Sequence, residues 1–287
     1  MVMTINELYA QSRKALLSIE EPSVASLMAR NLLCHVTGKT PEQVISDRML
    51  YASDQWCEQM RIATDRLLSG EPLAYVLGKW EFYGLPLLVD SRVLIPRDDT
   101  CAVTDLAIKY GLSLKTGPRI LDLCTGSGCI GLAVASRIKD ARVTLADISK
   151  DALAVAKANI TNLKLSARVS CLQASALEQP KPFLGKFDLI VSNPPYITGK
   201  EMRELDASVK DFEPHLALYG GEDGLDFYRE ISKNYKNALQ PGGLLCYEFG
   251  MGQGDAVCQI LNENGFTILE RSRDYNNIER AVIARYE

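Results

Sequence analysis

Histidine is scarce: His35 and His215 are the only two in 287 residues, and none of the eight cysteines stands in a Cys-x-x-Cys spacing. A conventional Cys/His metal centre is hard to assemble from that set, so no metal is expected. Cys34, Cys57, Cys101, Cys124, Cys129, Cys171, Cys246 and Cys258 are scattered and read as free thiols. No apolar run approaches the roughly 20 residues of a spanning helix. The opening MVMTINELYAQSRK lacks the basic start, apolar middle and small-residue cleavage site of a secretory signal. These absences predict a cytoplasmic protein with no membrane partner. An excess of positive charge is missing too: 32 Lys and Arg stand against 36 Asp and Glu, a formal net charge of -4. Broad phosphate-driven binding to nucleic acid is thereby disfavoured, and a protein or small-molecule substrate is favoured. Internal repeats and low-complexity segments are also lacking. What remains is a chain of ordinary globular composition, 47% hydrophobic and 24% charged, long enough for two domains.

From Ile5 to about Tyr75 the apolar spacing is helical. Leu8, Ser12, Ala15 and Leu16 form one stripe; Leu27, Ala29, Leu32, Leu33 and Val36 continue it. Thr40-Pro41-Glu42-Gln43 combines a capping residue, a proline at the first helical position and a Gln placed to close a capping box. Another helix begins near Ser53, buries Trp56, Met60, Ala63 and Leu67, and stops at Gly70. Residues 1–75 are thus expected to form a small all-helical domain, either a plain packing module or a partner-recognition domain. Residues 76–96, rich in aromatic and β-branched side chains and punctuated by Gly78 and Gly84, read as a β-hairpin linker.

Beyond Gly117-Pro118 the rhythm becomes strand, loop, helix, repeated. RILDL, VTLAD, RVSCLQ, FDLIVS and GGLLCYEFG are short apolar runs, separated by IGLAVASRIK, KDALAVAKANITNLK and DGLDFYREISKNYKNAL, which have helical spacing. FTILE and RAVIARY resemble a closing pair of strands. The alternation predicts an α/β domain over residues 97–287 with a mostly parallel sheet covered on both faces. Such sheets bind ligands outside the carboxyl ends of their strands.

The first of those loops is DLCTGSGCIG, residues 122–131, between a strand and a helix. Gly126 and Gly128 permit a tight turn with the backbone close to a ligand, and Gly131 lets the helix pack near the sheet. Asp147 ends the next strand, placed to accept hydrogen bonds from ribose hydroxyls. Gly126, Gly128 and Gly131 also satisfy the dinucleotide spacing G-x-G-x-x-G with an acid about 20 residues on, so the motif by itself is ambiguous. A dinucleotide loop usually brings its first glycine directly after the strand, whereas Asp122, Cys124 and Thr125 intervene here. A carboxylate in that position suits a ligand with an ammonium group, and S-adenosylmethionine carries both an amino-acid tail and a ribose.

At the end of the strand FDLIVS lies Asn193-Pro194-Pro195-Tyr196. An amide or exocyclic amino nitrogen is a poor nucleophile because its lone pair is delocalised into the adjacent π-system. Two acceptors must draw its hydrogens out of that plane. The side-chain oxygen of Asn193 and the backbone carbonyl of Pro194 can do so; the two prolines restrict the turn, and Tyr196 can cover a planar amide or base. The lone pair is then aimed at an electrophilic methyl for in-line displacement, with positioning as the main catalytic device. The four residues resemble the Asn/Asp-Pro-Pro-Tyr signature of amino-group methyltransferases, which act on adenine N6, guanine N2 or glutamine N5. The signature fixes the reaction and leaves the substrate open.

Further segments resemble the HemK/PrmC family of peptide chain release factor N5-glutamine methyltransferases: EPLAYVLGKWEFYG at 71–84, VLIPR at 93–97, SNPPYI at 192–197, FEPHLALYGGEDGLDFYR at 212–229 and LQPGGLLCYEFGMGQ at 239–253. The resemblance implies a seven-stranded, Rossmann-like class I S-adenosylmethionine-dependent methyltransferase domain behind a helical N-terminal domain that grips the release factor. It implies that Asp122, Cys124, Thr125, Gly126, Ser127, Gly128, Asp147, Ile148, Leu177 and Asn193 hold S-adenosylmethionine, released as S-adenosylhomocysteine. It also implies that Asn193, Pro194, Pro195 and Tyr196 receive the glutamine of the Gly-Gly-Gln motif of class 1 release factors. The expected enzyme is a cytoplasmic monomer that requires no nucleic acid.

This chain departs from the family pattern in places. Asp98-Asp99-Thr100-Cys101 follows VLIPR where Pro-Glu-Thr-Glu is usual, Ala176 stands where an Asp is usual, and Cys124 replaces a common Gly. Glu213, Pro214 and Glu248 are weaker candidates, for shaping a substrate channel or for supporting structure. His215 reads as a packing residue and Arg271-Ser272-Arg273-Asp274 as solvated surface.

Overall fold

A computed structural model describes residues 3–287. The chain divides into two compact units: the residues up to Lys79 together with Ala207–Phe212, and Trp80–Asp206 together with Glu213–Glu287.

The first unit is helical, with helices at Ile5–Leu16, Pro22–Thr37, Pro41–Ser46, Asp54–Leu68 and Leu73–Leu77. Their starts are written in side chains. Thr4 and Glu7 close a capping box, as do Thr40 and Gln43, and the Ser53 hydroxyl accepts from the Trp56 amide. Each such cap stabilises a helix by about 1 kcal/mol. The core of this unit is built from Ile5, Leu8, Leu16, Ala25, Ala29, Leu32, Leu33, Met60, Ala63 and Leu67. Leu27 departs from the expected stripe and is 46% exposed. It stands two residues from both Ala25 and Ala29, about 200° around the helix from either, and so faces away from them.

In the second unit, strands β1 (Lys79–Phe82) and β2 (Leu85–Leu88) form a two-stranded sheet. They join through Tyr83 and Gly84, both at positive φ, the requirement of a tight two-residue hairpin turn. The hairpin, expected as a linker, clusters with this unit from Trp80 onward. Phe82 and Leu87 enter its core, and the buried Asn159 side chain exchanges two hydrogen bonds with the Leu88 backbone. Asn159 also donates to the Ser127 carbonyl at 2.9 Å, which ties the hairpin to the glycine loop.

The main sheet contains β3 (Arg119–Leu123), β4 (Arg142–Asp147), β5 (Val169–Gln173), β6 (Phe187–Ser192), β7 (Leu239–Glu248), β8 (Phe266–Arg273) and β9 (Glu279–Tyr286), in the order β5-β4-β3-β6-β7-β9-β8. All neighbours are parallel except β9, which runs antiparallel to both β7 and β8. Every residue of β6 is buried, the mark of a central parallel strand covered on both faces. Alternate residues feed two cores. Ile120, Leu189, Val191, Leu244 and Ile283 face one, while Leu121, Ile190, Leu245, Tyr247 and Val282 face the other. The strand order reverses between β3 and β6, and a crevice opens at the carboxyl ends of strands at such a point.

Of the charged stretch at 271–274, expected as solvated surface, Arg271 and Arg273 are exposed and Asp274 is the exception. Arg271 pairs with Asp255 and Glu279, and the Asp274 side chain is buried against Arg280. Among the described residues no helix is long and apolar enough to cross a membrane.

Candidate active site

Register decides which loops meet. Leu123 of β3 is paired with Ser192 of β6, and the Ser192 hydroxyl donates to the Leu123 carbonyl at 2.6 Å. The next residues, Cys124 and Asn193, therefore leave the sheet side by side, and both line one cavity. Its wall also holds Thr125, Gly126, Ser127, Asp147, Ile148 and Leu177, eight of the ten residues expected around the cofactor. Gly128 caps the following helix at φ 87°.

Asp122 is brought beneath the loop instead of to its wall. It is fully buried, and its Oδ2 accepts from Thr125 Oγ1 at 2.5 Å and from the Gly131 amide at 2.9 Å. Burial pushes its carboxyl up to about 7, against the lowering effect of those two donors. Its contacts support the turn. Asp147 grips the same loop from β4: Oδ2 accepts from the Gly126 amide and Oδ1 from the Ser149 amide, each at 2.9 Å. Burial raises its pKa, and the backbone donors oppose that rise. A carboxylate offers about four acceptor positions. Asp147 therefore retains capacity for a ligand's hydroxyls.

These residues fit S-adenosylmethionine. A Cβ at Gly126 would meet nothing within 4 Å, so bare loop backbone faces the cavity. Asp147 suits a vicinal diol, and Ile148, Ala176 and Leu177 supply an apolar wall for a flat ring.

Cys124 holds φ 61° at the position where the sequence pattern favours glycine. For a residue with a Cβ this left-handed conformation costs about 1–2 kcal/mol. Cys124→Gly removes that cost but adds chain entropy and loses the packing of a partly buried thiol, so stability should stay within about 1 kcal/mol of the native value. Cys124→Val should instead destabilise by about 2 kcal/mol or more, because a β-branched side chain is a genuine outlier at positive φ. Urea denaturation of the two variants checks this; equal losses would show that the backbone conformation is not the governing factor.

In the Asn193–Tyr196 turn, Asn193 and Pro195 reach the cavity wall, whereas Pro194 and Tyr196 do not. Pro194 is buried and Tyr196 partly so. The turn is braced from behind: Gln253 Nε2 donates to the Tyr196 carbonyl at 3.0 Å, and Ile197 pairs with Leu218 and Gly220. Several wall residues escaped the reading of the sequence, notably Arg92, Leu94, Pro96, Leu216 and Phe227. Glu213 organises two of these segments. Its buried carboxylate accepts from the Ile95 amide at 3.1 Å and pairs with Arg97, which joins the 92–97 stretch to the one beginning at Pro214. Apart from Arg92, which lies just before VLIPR, their only sequence signal was their presence in segments of family resemblance.

Thr100 was also passed over. It lies on the cavity wall, and Asn193 Nδ2 donates to its hydroxyl at 3.4 Å. The neighbouring Asp99 is engaged in an ion pair with Arg280 at 2.8 Å.

A doubly wound sheet, a glycine loop gripped by an acid from the next strand, and an Asn-Pro-Pro-Tyr turn sharing its cavity define a class I S-adenosylmethionine-dependent methyltransferase. Two family models match the chain, PrmC N-terminal domain over residues 7–78 and Methyltransferase small domain over residues 106–213. It is 44% identical over 213 residues to the release factor glutamine methyltransferase of Clostridium acetobutylicum, covering 74% of each chain. It is 38% identical to that of Chlorobaculum tepidum, over 92% of this chain and 90% of the relative. The fold is shared with a methyltransferase from Pyrococcus furiosus, at a TM-score of 0.50 and 16% identity over 79% of this chain and 97% of that one. The chain belongs to the release factor glutamine methyltransferase family.

Proposed function

We propose that this protein transfers a methyl group from S-adenosylmethionine to the side-chain amide nitrogen, N5, of the glutamine in the Gly-Gly-Gln motif of class 1 peptide chain release factors. The observation that carries this reading is the shared cavity: the amide-bearing turn and the glycine loop emerge from adjacent strands onto one wall. Family membership supports the choice of a release-factor glutamine over a nucleic acid base.

Thr125, Gly126, Ser127, Asp147, Ile148 and Leu177 would hold the cofactor, with Asp122 and Asn159 keeping the loop in shape. Bound S-adenosylmethionine supplies an electrophilic methyl group on a sulfonium centre. Asn193 Oδ1 and the Pro194 carbonyl accept the two hydrogens of the substrate amide, which turns its nitrogen lone pair out of conjugation. Pro194 and Pro195 limit the motion of that turn, so the geometry is set before the substrate arrives. No side chain need remove a proton before transfer. Tyr196 borders the substrate amide, and the helical unit grips the release factor. The enzyme acts in the cytoplasm as a monomer, without metal, membrane or nucleic acid.

The test is direct. Purified protein, S-adenosylmethionine and an unmodified class 1 release factor are incubated, and the product is mapped by peptide mass spectrometry. One methyl group on the Gly-Gly-Gln glutamine is the expected result. An unchanged glutamine, with the factor folded and cofactor binding shown by calorimetry, would overturn the substrate assignment.

A further inference from the structure

Behind the Asn193 turn lies an acid that makes no contact with the cavity. Glu248, the last residue of β7, is 2% exposed, and its Oε2 has no hydrogen-bond partner. Ser192 of β6 is paired with Tyr247 of β7, so the next residues, Asn193 and Glu248, stand side by side, and the Thr100 and Asn193 side chains favour the charged form of the carboxyl group. Thr100 is itself buried and also receives the Asn193 Nδ2 donor. An acid kept in a β-strand core, with one oxygen unsatisfied, is expensive unless it serves something nearby. Its neighbour across the paired strands is Asn193, on whose carboxamide the transfer depends.

We propose that Glu248 and Thr100 are positioning residues for Asn193: together they hold its carboxamide nitrogen, so that its oxygen is the end presented to the substrate amide. This inference rests on the reading given under Proposed function. An asparagine side chain is nearly symmetric in shape, and only its hydrogen-bond partners decide which end faces which way. A carboxylate can accept but not donate. With Glu248 ionised, the NH2 of Asn193 is drawn to it and to Thr100 Oγ1, and the oxygen is left for the substrate. A protonated Glu248 offers a donor as well, and the flipped carboxamide, which would present NH2 to NH2, becomes affordable.

The surroundings set the balance between these two forms. Burial raises the Glu248 carboxyl to about 8, opposed by Thr100, Arg280 and Asn193 and reinforced by Asp99. Tyr196, Cys101, Cys129 and Tyr228 also feel its charge, and the Tyr228 hydroxyl donates to its backbone carbonyl. Asp99 and Asp274 both pair with Arg280, so that arginine is not a dedicated partner of Glu248.

Two measurements test the proposal. In the free protein, the side-chain amide resonances of Asn193, assigned by their loss in Asn193→Ala, should shift with pH about a midpoint near that of Glu248 and stay flat in Glu248→Gln. A flat response in the native protein, or the same titration in Glu248→Gln, would overturn the proposal; neither result depends on the substrate. In methylation of a class 1 release factor, native kcat should rise with pH through the same range, and Glu248→Gln should flatten that profile. Thr100→Val should lower kcat by about tenfold with KM and cofactor Kd within about twofold, and Thr100→Ser should restore it. Equal losses in Thr100→Val and Thr100→Ser, or a loss confined to cofactor Kd, would count against orientation of Asn193. Should the native protein fail to methylate the factor at all, the substrate reading falls and the resonance titration still decides whether Glu248 orients Asn193.

Discussion

Asn193→Ala should lower kcat for release-factor methylation by about 100-fold to 1,000-fold, the usual loss when one preorganised hydrogen-bonding group is removed from a reacting centre. Asn193 is partly buried at the end of β6, with its side chain turned toward Thr100. Truncation removes an acceptor without disturbing the strand, whose pairing with β3 and β7 ends at Ser192. Cofactor affinity should fall by less than about tenfold, because the loop and Asp147 remain. Thermal stability should change little. The loss thus belongs to kcat and not to binding, as expected for an interaction made only in the transition state. Single-turnover kinetics at saturating cofactor and factor, with calorimetry for the cofactor, separates the two. Turnover within a few-fold of native would remove Asn193 from the mechanism.

Gly220→Ala should be nearly as damaging, by a different route. A Cβ at Gly220 would lie 2.6 Å from the Pro195 carbonyl oxygen and from Tyr196 Cα, and 2.9 Å from the Tyr196 nitrogen. All three are backbone atoms of the Asn193–Tyr196 turn, held by prolines and by Gln253, so no side chain can swing aside. Overpacking of this kind costs about 1–3 kcal/mol. For a domain this size that corresponds to roughly 2–4 °C in Tm per kcal/mol. Displacing the turn by about 1 Å should also cost about 100-fold in kcat. The same substitution at Gly199, whose nearest neighbour is the flexible end of Glu222 at 3.3 Å, should leave Tm higher than in Gly220→Ala. Scanning calorimetry of both variants checks the contrast; an equal Tm for the two would mean that the turn yields.

The elements of the fold were legible because each carries its own local signal. Seven short apolar runs became the seven strands of the main sheet, and the box at Thr40–Gln43 and the serine at 53 begin helices as read. These are properties of neighbours in the chain, fixed by side-chain period and capping chemistry. The hairpin was recognised but its allegiance was not, since the contacts that bind it to the larger unit come from Asn159, 71 residues from Leu88. Asp122 was read as facing the ligand because its position in the loop motif says nothing about which way a strand residue points.

By itself, then, the sequence determined the helical and α/β halves, the glycine loop and the Asn-Pro-Pro-Tyr turn, because each is encoded within a few consecutive residues. The tertiary structure alone decided that Leu123 pairs with Ser192 and so brings Cys124 beside Asn193. It likewise decided that Asp99 is drawn to Arg280, that Thr100 reaches Asn193, and that Glu248 lies beside Asn193 across the β6–β7 pair. Those meetings depend on strand order and register, and parallel strands from distant parts of the chain acquire them only when the whole sheet assembles.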